Sequence, residues 1–168
     1  MPTPKHFCWI FACALWAGTA GPAAAGDAKP VTEQNRRFIT QAFDRWSSGS
    51  GNFFQDVLAP DVRWTIKGSG PAAGTYASRK DFLERAVQPF VARLATPIRP
   101  TVKAIWADGD DVIVHWDGSA TASDGAPYRN SYVWIFRMTN GRASEVTAFL
   151  DLAPYDDVMR RVSPRKSP

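Results

Sequence analysis

The sequence predicts an α+β fold, and three observations lead there. Apolar residues recur at helical spacing in the first half of the chain, strict alternation takes over from Ile98, and three Asx-Gly turns join the alternating runs. Helices followed by a long antiparallel sheet leave one route to burial: the sheet must curl around the helices so that one of its faces is covered.

Each element has its own local reason. Phe38, Ile39, Ala42, Phe43 and Trp46 line one side of an amphipathic helix, closed by Ser47-Ser48-Gly49-Ser50-Gly51. A short second helix, Phe53 to Leu58, stops at Ala59-Pro60 because proline disfavours a helical predecessor. Val62, Trp64 and Ile66 share one face of a strand, after which Gly68-Ser69-Gly70-Pro71 turns the chain. These glycines form no phosphate loop, since no Lys-Ser/Thr follows them. Ser78-Arg79-Lys80-Asp81 opens a third helix in the manner of a capping box. Phe82, Leu83, Ala86, Val87 and Phe90 form its apolar face, and Pro89 kinks it or ends it near Val87. The runs Ile98 to Ala107, Asp111 to Ser123, Tyr128 to Met138 and Arg142 to Leu152 then read as an antiparallel meander. Pro154 to Arg161 makes a last short helix.

The first 25 residues have the form of a secretory leader: Lys5 near the start, an apolar stretch from Phe7 to Ala17, and Ala23-Ala24-Ala25 as the cleavage site. The apolar stretch is short for a membrane span, which needs about 20 residues, so the expectation is a periplasmic or secreted protein with no membrane attachment after cleavage. Residues 26–30 are expected to be loose, 31–162 to form one domain, and 163–168 to be a disordered tail. Cys8 and Cys13 both lie in the leader, so the remaining 143 residues have no disulfide and no thiol chemistry. Their net charge is about +3. The basic residues are scattered apart from Arg160, Arg161, Arg165 and Lys166 near the end, which argues against a nucleic-acid partner.

Candidate chemistry centres on His115 and Asp117, spaced to share one face of a strand while Val112, Val114 and Trp116 share the other. An imidazole and a carboxylate side by side tune each other's proton affinity, as acid–base work requires; the same pair also serves as a plain polar contact. Tyr128, Asn130, Tyr132, Trp134 and Phe136 share a face that reads as inward. Of these, Trp134, with Phe43, Trp46 and Trp64, is a candidate to wall a cavity for a flat or cyclic apolar molecule, Asn130 and Tyr132 serving as hydrogen-bond donors; the alternative is that these aromatics are simple core. No metal-ligand spacing, haem attachment, flavin fingerprint or serine elbow is present, so no metal or other cofactor is expected.

Pro60-Asp61-Val62-Arg63-Trp64, Gly74-Thr75-Tyr76, Tyr128 to Tyr132 leading into Phe136 to Arg142, and Phe149-Leu150-Asp151 occur in an order that resembles the nuclear transport factor 2-like superfamily. Within it the resemblance is to the SnoaL-like and ketosteroid-isomerase-like branch. It implies a cone-shaped curled sheet closed by helices, an apolar cavity at the wide end, and homodimers formed through the outer sheet face. It also implies catalytic positions. Laid on limonene-epoxide-hydrolase-like members, His115, Asp117 and Asp151 match a basic residue and two acids, although His115 stands where those enzymes carry Arg. Trp64 and Ile66 also fail to supply their water-positioning Tyr and Asn. Against ketosteroid isomerases, the first helix offers Phe43 and Trp46 and no inward tyrosine. The expectation is a cofactor-free isomerase, cyclase or hydrolase acting on a small apolar or polyketide-like substrate, with a non-catalytic periplasmic binding domain as the alternative. The dimer is expected to use the face carrying Val112, Val114, Trp116, Val133 and Ile135.

Overall fold

The computed structural model describes residues 28–165, so the expected signal sequence lies outside the described residues. Helix α1 (Ala28–Ser48) begins inside the stretch expected to be loose, with Pro30 in its first turn, where a missing N–H leaves no bond unmade. Its buried stripe is Ile39, Ala42 and Phe43, with Phe38 and Trp46 packed partly buried at the margin. Asn35 and Thr32 clamp the distant turn at Gly109: Asn35 Nδ2 donates to Gly109 O at 3.1 Å, and Gly109 N donates to Thr32 Oγ1 at 2.9 Å. Helix α2 (Phe53–Val57) starts at Asn52, whose side chain accepts from Gln55 N.

Six strands form one sheet in the order β2-β1-β6-β5-β4-β3. They are β1 (Leu58–Ile66), β2 (Gly74–Tyr76), β3 (Arg99–Asp108), β4 (Asp111–Thr121), β5 (Pro127–Thr139) and β6 (Arg142–Leu150). β3 to β6 make the expected antiparallel meander, whereas β1 lies parallel to β6. β1 also begins earlier than its alternation suggests, taking in Pro60 beside an irregularity between Leu58 and Arg63. A β-bulge at Lys103 interrupts the β3–β4 ladder. The sheet curls without closing, and α1 and α2 fill its concave side through Phe43, Phe53 and Val57 against Trp64, Trp116 and Phe136.

Between β2 and β3 the helical stretch Arg79–Val91 changes pitch. Ser78 caps α3 (Arg79–Phe82): Asp81 N donates to Ser78 Oγ at 3.0 Å, and Ala77 N donates to Asp81 Oδ2 at 3.1 Å. A wide π-turn (Leu83–Val87) follows, in which Gln88 N reaches back five residues to Leu83 O, and α4 (Gln88–Val91) continues from it. Pro89 has no N–H to offer the preceding turn, and the widened turn accommodates it where a kink or an end near Val87 was expected. Helix α5 (Leu152–Arg161) closes the described fold. Beyond it Arg165 N donates to Ala92 O at 2.8 Å.

The orientation of β4 corrects the sequence reading. Val112, Val114 and Trp116 are buried on the concave side, and His115 and Asp117 stand half-buried on the convex side. Register is the reason. β4 and β5 pair Trp116 with Tyr132 and Val114 with Trp134, and directly opposed residues share a face. An inward Tyr132 therefore requires an inward Trp116 and an outward His115. The face carrying Val112, Val114 and Trp116 is core, so it is no surface for a second copy.

Candidate functional site: an aromatic cavity

A cavity of about 220 Å³ opens on the concave side, enclosed by all the helical layers. Trp46 comes from α1, Phe54 from α2, Trp64 and Ile66 from β1, and Phe82, Ala86, Val87, Phe90 and Val91 from the Arg79–Val91 stretch. Trp116, Tyr132, Trp134, Ala148 and Leu150 form the sheet wall, and Tyr155 of α5 completes it. Among the described residues, no carboxylate, imidazole or carboxamide side chain lines it.

Ring packing holds these walls. Trp64 stacks on Phe82 with centroids 4.0 Å apart, and Trp116 stacks on Tyr132 at 4.0 Å. Trp134 meets Trp64 and Trp116 edge to face at 5.0 and 4.7 Å. Gly118 makes the second stack possible, since a Cβ there would lie 2.9 Å from Tyr132 Cε2 and 3.0 Å from Trp116 Cζ3.

Polar atoms at this wall are few, and the Tyr132 hydroxyl belongs to a chain of hydrogen bonds. Tyr132 Oη lies 2.7 Å from Tyr128 Oη, and Asn130 Nδ2 donates to Tyr128 Oη at 2.9 Å. Asn130 Nδ2 also donates to Asp151 O at 2.7 Å, and Asp151 N donates to Asn130 Oδ1 at 3.2 Å. Burial pushes the Tyr132 phenol well above its ordinary pKa and raises that of Tyr128 as well, so both stay neutral. Tyr155, raised in the same way by burial, donates its proton to Ala86 O at 3.0 Å. The buried indole nitrogens of Trp64 and Trp116 have no hydrogen-bond partner among the described residues.

Of the residues singled out by sequence, Trp46, Trp64, Tyr132 and Trp134 line the cavity, while Phe43 packs behind the wall against Trp116 and Trp134. Asn130 is buried but faces Tyr128 and the start of α5. His115, Asp117 and Asp151 are absent from the cavity wall. Asp117 and Asp151 instead border an open polar groove of about 420 Å³ with Arg129 and Ser131. Asp117 accepts from Ser131 Oγ at 2.6 Å and pairs with Lys103 at 3.0 Å, contacts that hold its pKa below the ordinary carboxylate value, Ser131 contributing most. Asp151 caps α5, accepting from Ala153 N at 3.0 Å. No group of three or more His, Cys, Asp or Glu among the described residues is arranged to hold a metal.

Trp116, Phe82, Phe90, Tyr128 and Tyr155 are parts of the site that the sequence reading did not assign to it. For Trp116 a signal existed. The β4–β5 pairing is centred on Asp124 of the Asp124-Gly125 turn, so equal steps on either side bring Trp116 opposite Tyr132.

Residues 39–146 match the family model of the SnoaL-like domain. The chain belongs to the SnoaL-like family. Solved structures share its fold, which is the nuclear transport factor 2-like one. Bal32a, from a soil-derived mobile gene cassette, is 18% identical with a TM-score of 0.64, over 77% of this chain and 98% of its own. A candidate SnoaL-like polyketide cyclase from Jannaschia sp. CCS1 is 14% identical with a TM-score of 0.62, over 79% and 95%. TerC co-crystallised with polyporic acid is 18% identical with a TM-score of 0.61, over 75% and 98%. No curated protein matches the chain significantly in sequence.

Proposed function

We propose that this SnoaL-like domain binds a small, flat, largely apolar molecule in its aromatic cavity, as an exported protein whose leader is removed. The observation that carries the reading is a cavity walled by four tryptophans with no carboxylate, imidazole, amine or guanidinium side chain in the lining among the described residues. Such a surface favours burial of ring faces, each tryptophan offering a large apolar area. Tryptophan fluorescence titrated with naphthalene tests it: saturable quenching is expected, and it should be lost in Val87→Trp, which fills the cavity from the π-turn. Unsaturable quenching, unchanged in that variant, overturns the reading.

A second reading keeps the acid–base chemistry expected from the sequence. It draws support from the fold shared with the candidate polyketide cyclase and from the common border of Asp117 and Asp151 on the outer groove. In that reading Asp117 and Asp151 work at the groove, with His115 two residues before Asp117 on the same face of β4, separately from the aromatic cavity. Turnover of any polyketide-like ketone that disappears in both Asp117→Asn and Asp151→Asn favours it over binding alone.

We further propose a homodimer through the convex face, keeping Val133 and Ile135 of the first expectation and replacing Val112, Val114 and Trp116. Trp106, Ile113 and Ile135 lie side by side across β3, β4 and β5, and Ala104, His115, Val133 and Phe149 form the adjoining row. Trp106 is 54% and Phe149 45% exposed, an apolar area that a second copy would cover.

A further inference from the structure

We propose that the cavity selects ligands carrying an acceptor oxygen on an apolar ring skeleton, and that Tyr132 is the donor that recognises this oxygen, with Tyr128 and Asn130 as positioning residues. This rests on the binding reading above and adds the chemical class of the ligand.

The direction of each hydrogen bond follows from donor and acceptor counting. Asp151 presents an N–H and a C=O to Asn130, which fixes the carboxamide orientation: the oxygen must face the N–H and the nitrogen must face the C=O. Nδ2 has one proton left, and Tyr128 Oη lies 2.9 Å away to accept it. Tyr128 is 2% exposed, and its single proton finds one acceptor among the described residues, Tyr132 Oη at 2.7 Å. If that bond ran the other way, the proton without an acceptor would sit on Tyr128, away from the cavity, whereas on Tyr132 it sits in the wall of a cavity where a ligand can supply the acceptor. Tyr132 therefore accepts from Tyr128 and keeps its own proton available. Tyr128 does not line the cavity and Tyr132 does, so the free O–H belongs to the cavity wall.

The rest of the lining points to the same class. Its indole side chains can only donate, and the other phenol, Tyr155, already donates to Ala86 O. A ligand with only donor groups would find scarcely any acceptor, whereas a ketone, enone or quinone oxygen meets Tyr132 directly. The volume of about 220 Å³ is below the roughly 300–1,000 Å³ of sites for drug-sized ligands, which favours one or two fused rings.

The matched probes are 1-tetralone and tetralin, two-ring molecules that differ by one carbonyl, titrated into the full chain by tryptophan fluorescence. Tetralone is expected to bind about tenfold more tightly, the equivalent of one hydrogen bond. Tyr132→Phe should erase that preference, read as the ratio of tetralone to tetralin affinity within the same variant. Asn130→Asp tests the positioning role, because its second oxygen accepts the Tyr128 proton. Tyr132 is then drawn to donate to Tyr128, and the tetralone preference should fall without loss of tetralin binding. The infrared carbonyl stretch of bound tetralone should lie lower with the unaltered chain than in hydrocarbon solvent, a readout that needs no variant. Equal affinities, an unshifted carbonyl, or a preference that survives Tyr132→Phe overturns the proposal while the binding reading stands. Failure of both probes to bind overturns both.

Discussion

At the residue scale, the absence of one methyl group shapes the cavity more than any charge. Gly118 sits inside β4 with extended backbone, so its need for glycine is steric: Tyr132, Trp116 and Ile98 all approach the place a Cβ would occupy. Gly118→Ala is expected to destabilise the fold by about 1–3 kcal/mol through overpacking and to disturb the Trp116–Tyr132 stack, seen as a lower denaturant midpoint with altered near-ultraviolet dichroism. The outward carboxylates behave differently. Asp117 and Asp81 both have lowered pKa values, through hydrogen bonds from Ser131 and Arg85 first. Their stabilisation is therefore present at neutral pH and lost as the pH falls through and below the ordinary carboxylate range of about 4. Melting temperatures followed from pH 7 downward should decline there, and Asp117→Asn should flatten part of that decline. The pairing of Asp117 with Ser131 was not legible in the sequence, because a partner on the next strand depends on register and the strand pattern gives only the face.

Single elements were legible to the extent that their causes are local. Ser78 and Asp81 act as the capping pair that their spacing suggests, and Asn140-Gly141 makes its turn with both residues at positive φ. Ser78→Ala should cost about 1 kcal/mol in unfolding free energy, read from equilibrium denaturation. The π-turn was not legible, since proline announces a lost hydrogen bond without saying whether the helix breaks or widens. Its widened turn is tied to α5 by the bond from Tyr155 to Ala86 O. Tyr155→Phe is expected to cost about 0.5–1.5 kcal/mol and to speed amide hydrogen exchange in residues 83–91 more than in the sheet. Uniform acceleration across the chain would show that this bond serves the whole fold and not this segment.

For the whole molecule, the α+β layout and the aromatic wall were readable, because alternation and helical spacing each register burial directly. The parallel neighbour of β1 and the inward side of β4 were not, because each depends on partners far away in sequence. Turning β4 over replaces Val112, Val114 and Trp116 in the dimer prediction by Trp106, Ile113 and Phe149, beside Val133 and Ile135. The unaltered chain should sediment as a dimer at micromolar concentration, and Trp106→Glu as a monomer that still binds naphthalene, whereas a wild-type monomer rules this assembly out. The edges of the sheet bear on how far such association can go. β2 is only three residues long, and β3 is broken by the bulge at Lys103 and carries Pro100. Short, kinked or proline-bearing edges make poor templates for a further strand. Growth into fibrils by edge-to-edge addition is thereby discouraged, and a chain lacking Lys103, with a straight β3, should be the form that aggregates.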